Sequence, residues 1–177
     1  MDVNQYHNVK HDLSESAYND RRAVCENISE LLNVKAQRDA TKEQLDTIKD
    51  KITEGDYYKA LYVIQENERV KTFSRAIQED DIKTLGKLFY QSHEGLSKKY
   101  KVSCKELDFL VESAKANPNV IGSRMMGGGF GGCTINIILK SDYKRFKKDI
   151  SKKFQKEFGN ACSVYKVKLS KGTHILK

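Results

Sequence analysis

Ile121-Gly122-Ser123-Arg124-Met125-Met126-Gly127-Gly128-Gly129-Phe130-Gly131-Gly132-Cys133 is the most unusual stretch of this chain, with five glycines in the six positions 127–132. Glycine loses more conformational freedom on folding than any other residue. Such a run therefore persists where the backbone must take φ > 0, or must come close to another backbone or a ligand. Successive free N–H groups in such a loop can also form an anion-binding concavity. The spacing Gly127-x-Gly129-x-x-Gly132 fits the dinucleotide-binding pattern, but it lies between two expected strands and opens no helix, which excludes that reading. A tight hairpin with structural glycines is what the loop's composition alone leaves open.

Working outward, CTINIIL at 133–139 and SVYKVKL at 163–169 alternate with period two, and VIGSRM at 120–125 reads as a third strand. Between the last two strands, Tyr143, Phe146, Ile150, Phe154 and Phe158 recur at helical spacing, with Lys144, Lys148, Lys152 and Lys156 on the other side. The C-terminal third is thus strand, Gly-rich turn, strand, basic helix, strand. Upstream the periodicity is helical. A helix is expected over 14–32 with Tyr18, Ala23, Cys25, Ile28 and Leu32 as its stripe and Asp12 or Ser14 as its cap. A polar segment follows, with one or two helical turns around Leu45 and Ile48, ended by Gly55. Two long helices come next, over 57–77 (Leu61, Ile64, Val70, Phe73, Ile77) and 81–96 (Ile82, Leu85, Phe89, Leu96). A further helix starts at Ser103, where Ser103-Cys104-Lys105-Glu106 has the capping-box spacing; Leu107, Leu110, Val111 and Ala114 form its buried stripe and Asn117-Pro118-Asn119 stops it.

With 177 residues, 38% of them hydrophobic, and 16 Phe or Tyr, the chain can bury one core, so a single domain over 1–177 is expected and disorder is excluded. No apolar run approaches the roughly 20 residues of a membrane helix, and the polar start resembles no secretory signal; a cytoplasmic protein is the default. Cys25, Cys104, Cys133 and Cys162 form no CxxC pair and read as reduced, mostly buried thiols. The net charge of +8 is uneven: −3 over 1–60, +1 over 61–120 and +10 over 121–177. A basic third of this kind suggests a solvated helix face or a patch for nucleic acid, anionic lipid or an acidic partner. An RNA-recognition sheet would carry stacking aromatics, and CTINIIL has none, so no specific nucleic acid and no membrane are expected as partners.

The letters around the glycines carry more than their composition. GSRMMGGGFGGCTINII closely resembles the third signature motif of galactokinases, in the GHMP small-molecule kinase family, usually written GARMTGGGFGGCT. NVKHDLSESAYNDRRAVCE and LFYQSHEGLSKKYKVSCKELDFLVESA match the same family in the right order and spacing, so the resemblance covers nearly the whole chain. It implies an α+β fold of the ferredoxin-like GHMP kinase C-terminal type, an antiparallel sheet with helices on one side and an inserted helical segment. It implies an enzyme that phosphorylates the anomeric hydroxyl of galactose with MgATP, giving galactose 1-phosphate. The segments resembling GEHTDYNGG and PxGxGLSSSA, and the catalytic Asp and Arg, have no counterpart here, so this sequence reads as the C-terminal half only. ATP and Mg²⁺ are then expected to be bound mainly by the N-terminal half, the fragment alone is expected to be inactive, and no catalytic or metal-ligating residue is expected in it.

The resemblance also assigns residues. Tyr18 aligns with the tyrosine of the motif xEYxxRR and would contact galactose; Ala17 stands where the motif has Glu. Gly127, Gly128, Gly129, Phe130, Gly131 and Gly132 would lie near the sugar and steady the phosphate loop of the other half, and a side chain at Gly129 would face that half. Met126 replaces the usual Thr, which removes any hydroxyl contact there. Arg124 and His11 are expected in structural roles, an ion pair or a backbone hydrogen bond, and Ser92 and His93 as packing residues. Within the same fold, a non-catalytic galactose sensor or an N-acetylgalactosamine kinase is the alternative.

Overall fold

The structure is a computed structural model, and it describes residues 4–7 and 14–167. Four strands, β1 (Asn4–His7), β2 (Val120–Met126), β3 (Gly132–Ile138) and β4 (Ser163–Tyr165), form one antiparallel sheet in the order β2-β3-β1-β4. Six α-helices accompany them: α1 (Ser14–Leu31), α2 (Lys42–Thr47), α3 (Glu54–Gln78), α4 (Ile82–Glu94), α5 (Lys105–Lys115) and α6 (Tyr143–Phe158). The architecture is α+β, with α5 and α6 packed on the sheet and α1 to α4 inserted between β1 and β2 in the chain.

Three buried clusters hold it together. Leu110 and Ala114 of α5 meet Phe146, Ile150 and Phe154 of α6 over Val120, Ile138 and Val164 of the sheet. The stripe of α6 is the expected one, and its lysines face solvent because the aromatic side is spent on the sheet. A second cluster joins Ile28 of α1, Leu45 of α2, Ile48 and the first half of α3. Between them, Tyr62, Leu96, Val102, Leu107 and Met125 form a third. Burying a large apolar side chain contributes on the order of 1.5–3 kcal/mol, so these clusters outweigh every surface ion pair in the chain.

α4 packs closely against the edge strand β2. A Cβ on Gly86 would run into the Ile121 carbonyl, and one on Gly122 would sit 2.9 Å from the Gly86 Cα. At the end of α4 the chain continues as a π-helical turn, Gly95–Lys99, where Tyr100 N–H donates to Gly95 O at 2.9 Å. That turn produces a sharp corner at residues 100–102, with Lys101 at φ +54°.

Several local expectations are corrected. Gly55 does not end the polar segment; it lies in the first turn of α3, behind a Thr53 cap that accepts from Asp56 N–H. Ser103 does not cap α5. Its hydroxyl donates to Asp108 Oδ1 at 2.6 Å, a charge-assisted bond stronger than the neutral one the box would make, and Cys104 becomes an N-cap without a side-chain bond. The capping box that does form is Thr41 with Gln44 at α2. Tyr18 and Ala23 leave the stripe of α1, where Val24 turns inward beside the expected Cys25 and Ile28. Val70 and Ile77 of α3 and Ile82, the first residue of α4, are exposed, while Ala76 and Phe73 of the same stretch pack inward. β4 ends at Tyr165, and residues 168 and 169 of the expected strand, with Asp12, lie outside the described residues. All four cysteines are free thiols, and among the described residues no helix is long and apolar enough to cross a membrane.

Candidate functional site

The Gly-rich loop connects β2 to β3 as a hairpin of unusual conformation. Gly127, Gly129, Gly131 and Gly132 all take φ between +87° and +135°, and Phe130 joins them at +59°. A non-glycine residue in that region is strained and persists only where its surroundings hold it there. The hold on Phe130 is visible: its N–H donates to Val102 O at 2.7 Å, its ring joins the Tyr62–Met125 cluster, and the Arg21 guanidinium lies 5.8 Å from the ring centroid.

Two glycines of the loop differ in what they require. Gly129 is buried, and a Cβ there would collide with the Val102 carbonyl, so its side-chain direction faces this chain's own backbone and not an outside partner, contrary to the expectation above. Gly128 is exposed, is not at positive φ, and a Cβ there would meet none of the described residues within 4 Å. Among the described residues, nothing in the packing explains why residue 128 lacks a side chain. Gly127 likewise points into open space, though its φ of +87° is reason enough for glycine.

Tyr18 lies on α1, 62% exposed, so its phenol belongs to no core of this chain. One turn on, Arg21 reaches from the same helix to the corner at 100–102, donating from Nε to Tyr100 O at 3.1 Å and from Nη2 to Lys101 O at 2.9 Å. The structure therefore connects the Tyr18 helix to the Gly-rich loop through a corner that no sequence motif announced. The available signal was the Arg-Arg of AYNDRR, whose first member is the one that turns inward.

On the other side of β2, Met125 N–H donates to His93 Nδ1 at 3.2 Å while His93 Nε2 lies 3.1 Å from Asp108 Oδ1. Burial pulls the His93 pKa below its ordinary value, with Asp108 opposing. This ring is neutral, accepting on Nδ1 and donating from Nε2, and it pins α4 and α5 to the strand entering the loop. Ser92 donates to Glu66 Oε1 at 2.5 Å, and Arg124 reaches Glu66 at 3.6 Å as well as the Met125 carbonyl at 3.0 Å. Arg124 is thus structural, as expected, and Ser92 and His93 are buried but do more than pack. His11 lies outside the described residues.

Chemistry intrinsic to this chain is sparse at the loop. Burial pushes the Cys133 thiol up from its ordinary value, which suppresses the nucleophilic thiolate. Among the described residues, no three His, Cys, Asp or Glu side chains converge to hold a metal ion.

Residues 73–157 match the family described as GHMP kinases C terminal. These residues form a GHMP kinase C-terminal domain. It is 39% identical over 165 residues to the galactokinase of Thermotoga petrophila, covering 93% of this chain and 46% of that protein. It is 35% identical over 169 residues to the galactokinase of Homo sapiens, covering 96% of this chain and 42% of that one. The galactokinase of Lactococcus lactis, solved in complex with galactose, superposes with a TM-score of 0.85 at 29% identity over 93% of this chain and 44% of its own. The chain thus spans somewhat under half the length of these relatives.

Proposed function

We propose that this chain is the C-terminal portion of a galactokinase, which transfers a phosphoryl group from ATP to the anomeric hydroxyl of galactose. The observation that carries this reading is the exposed tip at Gly127 and Gly128, where packing among the described residues gives no reason for the absence of a side chain at 128. A backbone left bare toward solvent suits close approach by a ligand or by another part of the protein. The relatives named above support the identity of that ligand.

In this reading the remainder of the protein, which these relatives have and this stretch does not match, supplies the Mg²⁺ and triphosphate cradle and the acid–base group. Phosphoryl transfer depends on positioning and charge stabilisation more than on covalent chemistry from the protein. This portion contributes sugar contact through the Tyr18 hydroxyl, and it supports the phosphate loop through residues 127–132. Galactose and the N-terminal half are its partners, and the protein is cytoplasmic.

The test is coupled ADP release with galactose and MgATP, on this chain alone and on the chain joined to the segment its relatives carry before it. The joined protein should turn over at a rate of order 1 s⁻¹ or more, and the chain alone should not. In the joined protein, Tyr18→Phe should raise the galactose constant roughly 2- to 12-fold, from the 0.5–1.5 kcal/mol of one hydrogen bond, and leave the ATP constant unmoved. Equal losses for both substrates would return Tyr18 to a purely structural role.

A further inference from the structure

We propose that Arg21 is a positioning residue that holds the Gly-rich loop in register with the Tyr18 helix; its relevance to galactose rests on the preceding section. The Arg21 side chain is only 14% exposed, and its donors divide between two parts of the structure. Nη1 stays at home, donating to Ala17 O at 3.3 Å and to Asp20 Oδ2 at 2.8 Å within α1. Nε and Nη2 cross to the carbonyls of Tyr100 and Lys101, 79 and 80 residues away in sequence.

The next carbonyl in the corner, Val102 O, is the acceptor for Phe130 N–H, so the corner is a relay. On one side its carbonyls receive Arg21; on the other they receive the loop. Both ends of the relay stand in left-handed conformations that non-glycine residues avoid, Lys101 at +54° and Phe130 at +59°. Such conformations persist where neighbours over-determine them, and Arg21 touches both places, bonding one and lying over the ring of the other. The planar guanidinium presents several donors in a fixed fork, whereas lysine is a single point charge on a flexible stem, so the two are not equivalent here. Asp20 is itself fixed from α3 by Lys59 at 3.1 Å, which keeps the Arg21 base from swinging.

Tyr18 and the tip at Gly127 and Gly128 are the two parts the proposed chemistry uses, and Arg21 joins them while belonging to no buried apolar cluster. Hydrogen exchange resolved at single amides in this chain tests the relay directly. Arg21→Gln should speed exchange of the Phe130 amide at least tenfold while amides of the β2–β3 ladder and of α6 keep their rates. Arg21→Lys, which retains charge without the fork, should speed it too, and carries the test if Arg21→Gln does not fold. An unchanged Phe130 rate in the folded variants, or equal acceleration throughout the chain, overturns the proposal.

In the joined protein, Arg21→Gln should raise the galactose KM at least fivefold with the ATP KM within twofold of the parent. Loss of loop protection with unaltered galactose kinetics overturns the positioning role. If the unsubstituted joined protein does not phosphorylate galactose, the fault lies with the reading of the preceding section, and the exchange experiment still decides whether Arg21 sets the loop.

Discussion

Gly128 and Gly129 are neighbours with opposite reasons for being glycine, and substitution separates them. Gly129→Ala adds a Cβ at φ +91°, against the Val102 carbonyl, and should destabilise this chain by at least the roughly 1–2 kcal/mol of a left-handed alanine. Gly128→Ala meets open space at an ordinary φ and should stabilise the chain by about 0.4–1 kcal/mol, because it restricts the unfolded state alone. Urea unfolding of both variants checks the pair. In the joined protein the order should reverse for Gly128: a more stable variant with a lower kcat/KM, since the added methyl occupies the approach to the loop tip. A Gly128→Ala protein that is both more stable and fully active would show that the tip meets nothing. Composition could reveal that five glycines needed a reason, but it could not distribute the reasons. Which glycine faces the chain itself depends on a corner 27 residues upstream, and no local pattern encodes that contact.

At the level of elements, the pairing of α4 with β2 makes a pH-dependent contribution to stability. His93 is neutral in the fold, with its pKa lowered chiefly by burial, while in the unfolded chain it titrates near the ordinary value of about 6.5. The unfolded state therefore binds more protons, so this contribution is complete above about pH 6.5 and is lost as pH falls below that value toward the lowered one. Protonation would also turn Nδ1 from an acceptor into a donor facing the Met125 N–H. The urea midpoint should thus fall more between pH 7.5 and 5.5 in the parent than in His93→Gln, whose amide can still accept and donate; equal slopes would remove His93 from the account. The basic face of α6 calls for a different measurement. With Lys144, Lys148, Lys152 and Lys156 exposed, any RNA binding should be weak, indifferent to sequence and steeply reduced by salt, and sub-micromolar preference for one sequence at physiological salt would refute that. Helices and strands were largely readable because period marks them, as in α6 and β3. Gly55 and Ser103 depart from their local pattern because competing partners decide there, a Thr53 cap in one case and the Asp108 carboxylate in the other. Along the second half of α3 only part of the apolar stripe is covered, Phe73 and Ala76 but not Val70 or Ile77, because periodicity says which side is apolar without saying how much of it a neighbour reaches.

Across the whole molecule, α3 is shared property. Within its first three turns, Tyr57, Ala60, Leu61 and Ile64 face the cluster built with α1 and α2, while Tyr62, between them in the chain, faces the cluster behind the Gly-rich loop. α5 repeats the arrangement one step further, with Leu107 in the loop-side cluster and Leu110 and Ala114 over the sheet. Neither helix can fray through these turns without opening two clusters at once. Three cores threaded on two common rods behave as one unit of unfolding, although the chain has the anatomy of two layers. Far-ultraviolet circular dichroism, which follows the helices, and tyrosine emission, which follows residues such as Tyr62, should trace superimposable urea curves with a single midpoint. Separate midpoints would mean that the helical insertion melts by itself. The Tyr18 helix and the glycine hairpin, so far apart in sequence, are on this view gained or lost together.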